Sequence, residues 1–355
     1  MRINALIQRI CLQMIRDKRT LALLFVAPLL ILSLMYVMFN GSGDAVKPKL
    51  GAVNVPAPVS QALAHADIEV IPYHDMDKET IVSDKLDGAL ISKDGHWSLL
   101  LENVDPTAAK AMQMKVGQIM AGLLLQNGQQ GSMDLSQASS LPVEYVYGNA
   151  DSTFFDVLSP ILIGFFVFFF VFLISGIGLL RERTTGTLER LMSTPIRRGE
   201  VITGYLTGYG LFAVIQTVIV VLFAVNVLDI SLVGSIWNVL VINLLLALVA
   251  LSLGILLSTF ASSEFQMVQF IPVVVVPQVF FSGIFALDGM AEWLQTIARI
   301  MPLYYAADAL KGVMYKGYGF GDIIGDLLVL VLFVFVFIGL NVIALKKYRK
   351  PSASK

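Results

Sequence analysis

Six runs of about 20 residues or more carry no Asp, Glu, Lys or Arg, and about 20 apolar residues are what a helix needs to cross the hydrocarbon layer of a bilayer. They lie at 21–39, 157–180, 201–228, within 230–263, at 266–287 and at 327–345. The fourth is longer than one crossing requires, so a short interfacial turn near Trp237 is expected before a helix at 238–260. An α-helical polytopic membrane protein with six transmembrane helices is the fold class this pattern predicts. Composition agrees. Of 355 residues, 56% are hydrophobic and 14% charged, against about 45–50% and about 25% in globular proteins. A mean hydropathy of +0.76 would force large apolar patches onto a soluble surface. A soluble enzyme and a nucleic-acid binder are therefore excluded.

The single cysteine, Cys11, rules out an intrachain disulfide and a cysteine-based metal cluster. The run 21–39 is too long for the apolar region of a cleaved signal peptide, so it is expected to stay as an anchor.

Charge placement predicts orientation. Residues 1–20, 181–200 and 346–355 hold fifteen of the 25 Lys and Arg. Six crossings bring those segments to one face, which the positive-inside rule makes cytoplasmic. The expected arrangement is a multi-pass protein of the cytoplasmic membrane, with both termini and the loop 181–200 inside and a basic cytoplasmic tail at 346–355. Residues 40–156, outside, hold seven Lys and no Arg against fifteen Asp and Glu. Residues 1–20 form an amphipathic interface helix, with Ile3, Leu6, Ile7, Ile10 and Met14 on one face and Arg2, Arg9 and Arg16 off it. It serves as an anchor or as a docking element for a cytoplasmic partner.

The 40–156 segment is long enough to bury its own core. Strand patterns at 49–55, 68–73, 88–92, 97–104 and 143–147 alternate with helical ones at 59–66, 77–86 and 106–126, which predicts an extracellular α/β domain inserted between helices 1 and 2. The Gly-, Gln- and Ser-rich stretch 128–140 is expected to be a flexible loop. His65, His74 and His96 lack metal-ligand spacing, so no metal site is expected. No catalytic constellation is visible.

The crossings lack ionisable residues in their interiors, which argues against an ion-driven carrier. Glu264 sits alone in a short cytoplasmic turn and reads as an interface residue. Gln216, Asn243 and Gln278 line a path or hydrogen-bond between helices. Gly204 and Gly208 form a close-packing pair serving either intrachain contacts or dimerisation. The sequence also has no Gly-x-x-x-x-Gly-Lys-[Ser/Thr] phosphate loop, so ATP would have to be hydrolysed by another polypeptide. The expectation is that this chain is not an enzyme and carries no cofactor of its own.

The best candidate contact for such a partner is the loop after the second span. Gly186 permits a sharp turn, Thr187 is placed to cap a short helix, and Glu189 falls in its first turn, where the helix dipole favours an acid. Leu188, Leu191 and Met192 make an apolar face, and Pro195 stops the helix. The run Glu182-Arg183-x-x-Gly186-Thr187-x-Glu189-x-Leu191-x-x-Thr194-Pro195 closely resembles the cytoplasmic motif of type-2 ABC exporter permeases, in the drug- and antibiotic-export branch with a large extracellular domain. The resemblance implies that this loop is a coupling helix docking into a separate ATP-binding subunit, with Glu182 and Arg183 joining span two to that contact. It implies two ATP-binding subunits carrying ATP and Mg, and a second membrane subunit, identical or sister.

Before span six, at 288–326, Met290, Trp293, Leu294, Ile297 and Met301 recur at helical spacing. Pro302 interrupts, and Leu303, Ala306, Leu310 and Met314 resume. Two helices hinged at Pro302 would dip into the outer leaflet. In related exporters such a segment lies near the extracellular gate, so Pro302, Tyr304 and Tyr305 are gate candidates, although an interfacial aromatic belt explains the aromatics equally well. In that family spans two and five line the path. Phe165, Phe169, Pro272, Pro277, Phe280 and Phe281 are therefore lining candidates, with packing against lipid an equal account of each. The function this implies is ATP-driven outward movement of an amphiphilic or hydrophobic compound. The rivals are a membrane-anchored receptor or surface-assembly protein with a ligand-binding ectodomain, and an ion-driven carrier.

Overall fold

The structure, a computed structural model, describes residues 2–39, 48–93, 96–126, 141–150, 152–194, 196–284 and 291–344. Contacts divide the chain into two units, Met1–Val37 with Leu158–Lys355, and Met38–Val157. The chain opens with helices α1 (Arg2–Arg16) and α2 (Lys18–Phe39).

The Met38–Val157 unit contains β1 (Lys49–Val53), α3 (Ala57–His65), β2 (Glu69–Tyr73), α4 (Lys78–Ser83), β3 (Gly88–Lys93), β4 (His96–Leu101), α5 (Pro106–Gln126) and β5 (Val143–Tyr145). The strands form one sheet in the order β2-β1-β3-β4-β5. β1 runs parallel to β2 and β3, the β3–β4 pair is an antiparallel hairpin, and β4–β5 is parallel. The period-two alternation along β4 sends Leu99 and Leu101 to one face, where they pack with Leu63 of α3 and Met112 and Val116 of α5. Leu100 goes to the other, with Ala89, Leu86 and Ile81 of α4. The sheet is thus covered on both faces by the helices that connect its strands. Asp77 caps α4 by accepting from the Thr80 amide at 2.8 Å and from its hydroxyl at 2.6 Å. The loop expected at 128–140 lies outside the described residues.

The other unit continues with α6 (Phe154–Thr184), α7 (Thr187–Met192), α8 (Arg198–Asn226), α9 (Ile236–Ser258), α10 (Glu264–Ile284), α11 (Glu292–Ala298), α12 (Pro302–Met314) and α13 (Ile324–Ala344). Among the described residues six helices, α2, α6, α8, α9, α10 and α13, are long and apolar enough to cross a membrane. The protein is therefore a multi-pass, helical membrane protein. Several boundaries differ from the sequence reading. The second span runs through Thr184, so Arg181, Glu182 and Arg183 belong to its last turn and not to a loop beginning at 181. The fourth begins at Ile236, takes Trp237 into its first turn and ends at Ser258. The tail at 346–355 lies outside the described residues.

Burial separates the spans. In α6, 89% of the most apolar window is buried within the chain, against 17% in α2 and α13. α6 is the central post of the unit. α9 comes close to it at Gly254, where a Cβ would collide with the Phe172 carbonyl and the Ser175 hydroxyl. α1 docks by the same device: its buried Leu6 and Ile10 lie over Gly204 and Gly208 of α8, where any Cβ would strike them. The Gly-x-x-x-Gly pair therefore serves intrachain packing, which in a bilayer rests on van der Waals fit because lipid is as apolar as leucine.

α10 is not a regular helix. α-Helical turns at Glu264–Phe270 and Val276–Val279 are followed by π-turns at Ile271–Val275 and Phe280–Ile284. The amide of Val276 reaches back five residues to the Ile271 carbonyl. Pro272 and Pro277 have no N–H to offer the carbonyls of Val268 and Val273, and such gaps in the ladder are where a helix widens.

Candidate functional site

The arginine-rich end of α6 ties five other parts of the unit together. Glu182 is 3% exposed, forms an ion pair with Arg9 of α1 and accepts a hydrogen bond from the Tyr205 hydroxyl of α8 at 2.8 Å. Arg181 donates from Nε to Glu264 of α10 at 2.7 Å and from Nη1 to Asp17, between α1 and α2, at 3.3 Å. Glu264, the one charged residue of its turn, is thus paired to α6 while staying half-exposed. Arg183 donates to the Ser258 carbonyl and, at 3.0 Å, to that of Ala261. The last carbonyls of a helix have no partner within it, and the guanidinium supplies one to the end of α9. Hydrogen bonds from the Thr20 hydroxyl and amide, followed by the Arg181 charge, hold the Asp17 carboxyl below the usual carboxylate range.

Beyond this turn the backbone reverses at Gly186, with φ 72° and ψ 7°, a left-handed conformation that any side chain would strain. Gly186, not Thr187, occupies the cap position of α7, and its carbonyl accepts from the Arg190 amide at 3.1 Å. Thr187 is the first helical residue, with its hydroxyl 3.0 Å from that of Thr185. Leu188 and Met192 are buried, Leu191 is half-buried, and Glu189, Arg190, Ser193 and Thr194 are exposed. α7 is therefore a short helix seated by two apolar side chains, with a polar face turned outward. Pro195 lies outside the described residues.

The path candidates separate by exposure. Phe165 and Phe169 are half-buried on an otherwise buried stretch of α6, and their ring centroids lie 5.7 Å apart. On α10, Pro272 and Phe280 are exposed and Pro277 and Phe281 half-buried. The gate candidates cluster at the head of α12. Pro302 is its buried first residue, Tyr304 packs edge-on against Tyr305 at 5.1 Å, and the Tyr305 hydroxyl donates to the Arg299 carbonyl at 2.8 Å. Tyr305 also faces Phe333 of α13 at 6.4 Å. The two apolar stripes read around Pro302 behave differently. Leu303, Ala306, Leu310 and Met314 are all buried, but on α11 Trp293 is exposed, Leu294 and Ile297 are half-buried, and the buried residue is Ala298. An apolar stripe beside lipid has no need to turn inward. Met290 lies outside the described residues. Among the described residues there is no cluster of metal-binding side chains.

Residues 18–343 match the model of the ABC-2 family transporter proteins. The chain belongs to that family. It is similar to ABC transporter G family member 20 of Dictyostelium discoideum, 27% identical over 175 residues that cover 49% of this chain and 24% of the relative. It is also similar to the probable multidrug ABC transporter permease YbhS of Escherichia coli (strain K12), 27% identical over 177 residues covering 49% and 47%. The inner membrane transport permease YhhJ of the same strain is 30% identical over 150 residues covering 41% and 40%. The chain spans less than half the length of each of these relatives.

In this ABC-2 chain several residues of the site escaped the sequence reading. Arg9 and Tyr205 were legible only as one basic residue of an amphipathic helix and one aromatic in a span. Asn341 of α13 donates to the Ser252 carbonyl of α9 at 2.7 Å while buried. The signal for it was present, since an amide in an otherwise apolar run needs a partner inside the bundle. Gln216 donates to the Phe166 carbonyl at 3.5 Å and Gln278 accepts from the Leu303 amide, so both bridge helices, whereas Asn243 donates within its own helix to Val239.

Proposed function

We propose that this ABC-2 protein is the membrane subunit of an ATP-driven exporter, working with separate ATP-binding subunits that hold ATP and Mg. The observation that carries this reading is the continuity between α7 and the end of α6. A helix with exposed Glu189 and Arg190 is joined through Gly186 to one turn in which Arg181, Glu182 and Arg183 hold α1, α8, α9 and α10. A displacement applied to α7 would be delivered to α6 and, through those bonds, to the rest of the bundle. Coupling of this kind needs one element that two sites can bias, and the exposed side of α10, which Arg181 ties to the end of α6, is the natural place for it where a second membrane subunit packs there.

The basic residues support a cytoplasmic position for α7 and both termini, and the acidic excess supports an extracellular position for the α/β unit. Phe165, Phe169, Phe280 and Phe281 would offer an aromatic, uncharged surface suited to an amphiphilic or hydrophobic cargo, and the multidrug name of one relative points the same way. Two membrane subunits and two ATP-binding subunits complete the assembly.

The test is co-purification and transport. The wild-type chain should hold an ATP-binding subunit expressed with it, and Glu189→Lys should weaken that association at least about tenfold, as expected for reversing a charge at an interface. Proteoliposomes of the complex should accumulate ethidium only with ATP. Equal uptake by the chain alone, or labelling of a Thr187→Cys variant from the outside of intact cells, would overturn the reading.

A further inference from the structure

We propose that Gln278 is a positioning residue that latches the head of α12 to α10, so that a change of helical register in α10 is passed to the cluster of Pro302, Tyr304 and Tyr305. The proposal rests on the exporter reading only in calling that cluster a gate.

The first turn of α12 lacks ordinary caps. Met301 provides no side-chain cap, and Pro302 has no N–H. The Leu303 amide is one of the donors that a helix leaves without an internal partner, and here it donates to Gln278 Oε1 at 3.3 Å. The other end of the same amide group, Nε2, donates to the Val274 carbonyl at 3.3 Å, within the first π-turn of α10. Gln278 is 2% exposed, so water does not substitute for either bond. A primary amide is the side chain that can accept at one end and donate at the other. Leu303 also packs toward α6: a Cβ at Gly164 would lie 2.8 Å from Leu310 Cδ1 and 3.9 Å from Leu303 Cδ1. The head of α12 thus meets α6 through its side chains and α10 through Gln278.

The placement of Gln278 between two π-turns gives the latch a way to move. A π-turn holds one residue more than an α-turn, and its conversion to α rotates everything after it by about 100°. Gln278 follows the first π-turn, so such a conversion would carry its amide away from Leu303 and leave a buried donor unpaired. Pro277, which has no N–H for the Val273 carbonyl, keeps the widened geometry in place.

The test is hydrogen exchange on the purified full-length chain in lipid nanodiscs, read at amides 303–306. Gln278→Met, similar in length but unable to accept, should speed exchange there about five- to tenfold. Gln278→Glu, which in the protonated form that burial favours keeps both an acceptor for Leu303 and a donor for Val274, should stay within about twofold of wild type. Pro277→Ala should also speed exchange at 303–306 although Gln278 is intact, an effect that a purely local cap would not produce. Unchanged exchange in Gln278→Met, or in Pro277→Ala, would overturn the proposal. Should Gln278→Met not accumulate, Pro277→Ala and Gln278→Glu still decide it. No partner or cargo enters these measurements, so they stand or fall separately from the export reading.

Discussion

The arginine-rich end of α6 and the head of α12 are both junctions of several helices, yet they are fastened by different chemistry. At the first, three consecutive charged side chains reach five neighbours, two of them through a carboxylate that is 3% exposed. At the second, a single neutral amide spans the gap between α10 and α12. Charge-assisted bonds are roughly twice as strong as neutral ones and leave a larger penalty when broken. The difference teaches that the first junction resists separation more strongly than the second, which opens at the smaller cost of neutral bonds.

The largest effect that would break this comparison concerns Arg9. Arg9→Ala strands the buried Glu182 carboxylate, and thermal unfolding of the purified chain should show a loss of about 3–5 kcal/mol. Glu182→Gln leaves a neutral amide facing Arg9, itself partly exposed, and should cost only about 1–2 kcal/mol. Equal losses would mean that the carboxylate is not the buried member of the pair.

Next in size is the seat of α1. Gly208→Leu should cost about 1–3 kcal/mol by overpacking against Ile10 and should expose α1 to protease, whereas Gly199→Ala, where a Cβ meets nothing, should leave digestion unchanged. Asn341→Leu removes a neutral bond between spans and should cost about 0.6 kcal/mol. A cost approaching that of Arg9→Ala would erase the distinction between charged and neutral fastening. Of similar small size is Glu264→Ala. Its pair with Arg181 is half-exposed, so the loss should be about 0.2–1 kcal/mol and should vanish in high salt. Asp17 adds a pH signature. Because its folded carboxyl titrates below the usual carboxylate range, its contribution is present above the ordinary value of about 3.9 and is lost as pH falls through the lower folded one. Asp17→Asn should flatten that acid limb of the stability curve.

The spans were legible because hydrocarbon imposes a length and an apolar composition that no other fold demands. The positions of strands and helices between 49 and 145 were legible for a related reason, since periods of two and of 3.6 differ in which neighbours share a face. Helix ends were less so. Nothing in Arg181-Glu182-Arg183 distinguishes the last turn of a helix from the start of a loop, because the partners that make a helical turn useful there come from residues 9, 17, 205, 258, 261 and 264. Thr187 looked like a cap because threonine caps helices, but the left-handed turn at Gly186 moved the boundary by one residue. The apolar stripe of α11 left open whether its residues meet lipid or protein, because both accept apolar side chains.

Sequence by itself determined the membrane class, the number of helices long and apolar enough to cross, and the family, since each depends on residue type along the chain and on a solvent that penalises charge. Tertiary structure decided which charges meet, that Gly204 and Gly208 receive α1, and that Gln278 bridges α10 to α12. The Arg9–Glu182 pairing alone joins residues 173 positions apart. Such pairings are fixed by the packing of whole helices, and no local pattern along the chain encodes them.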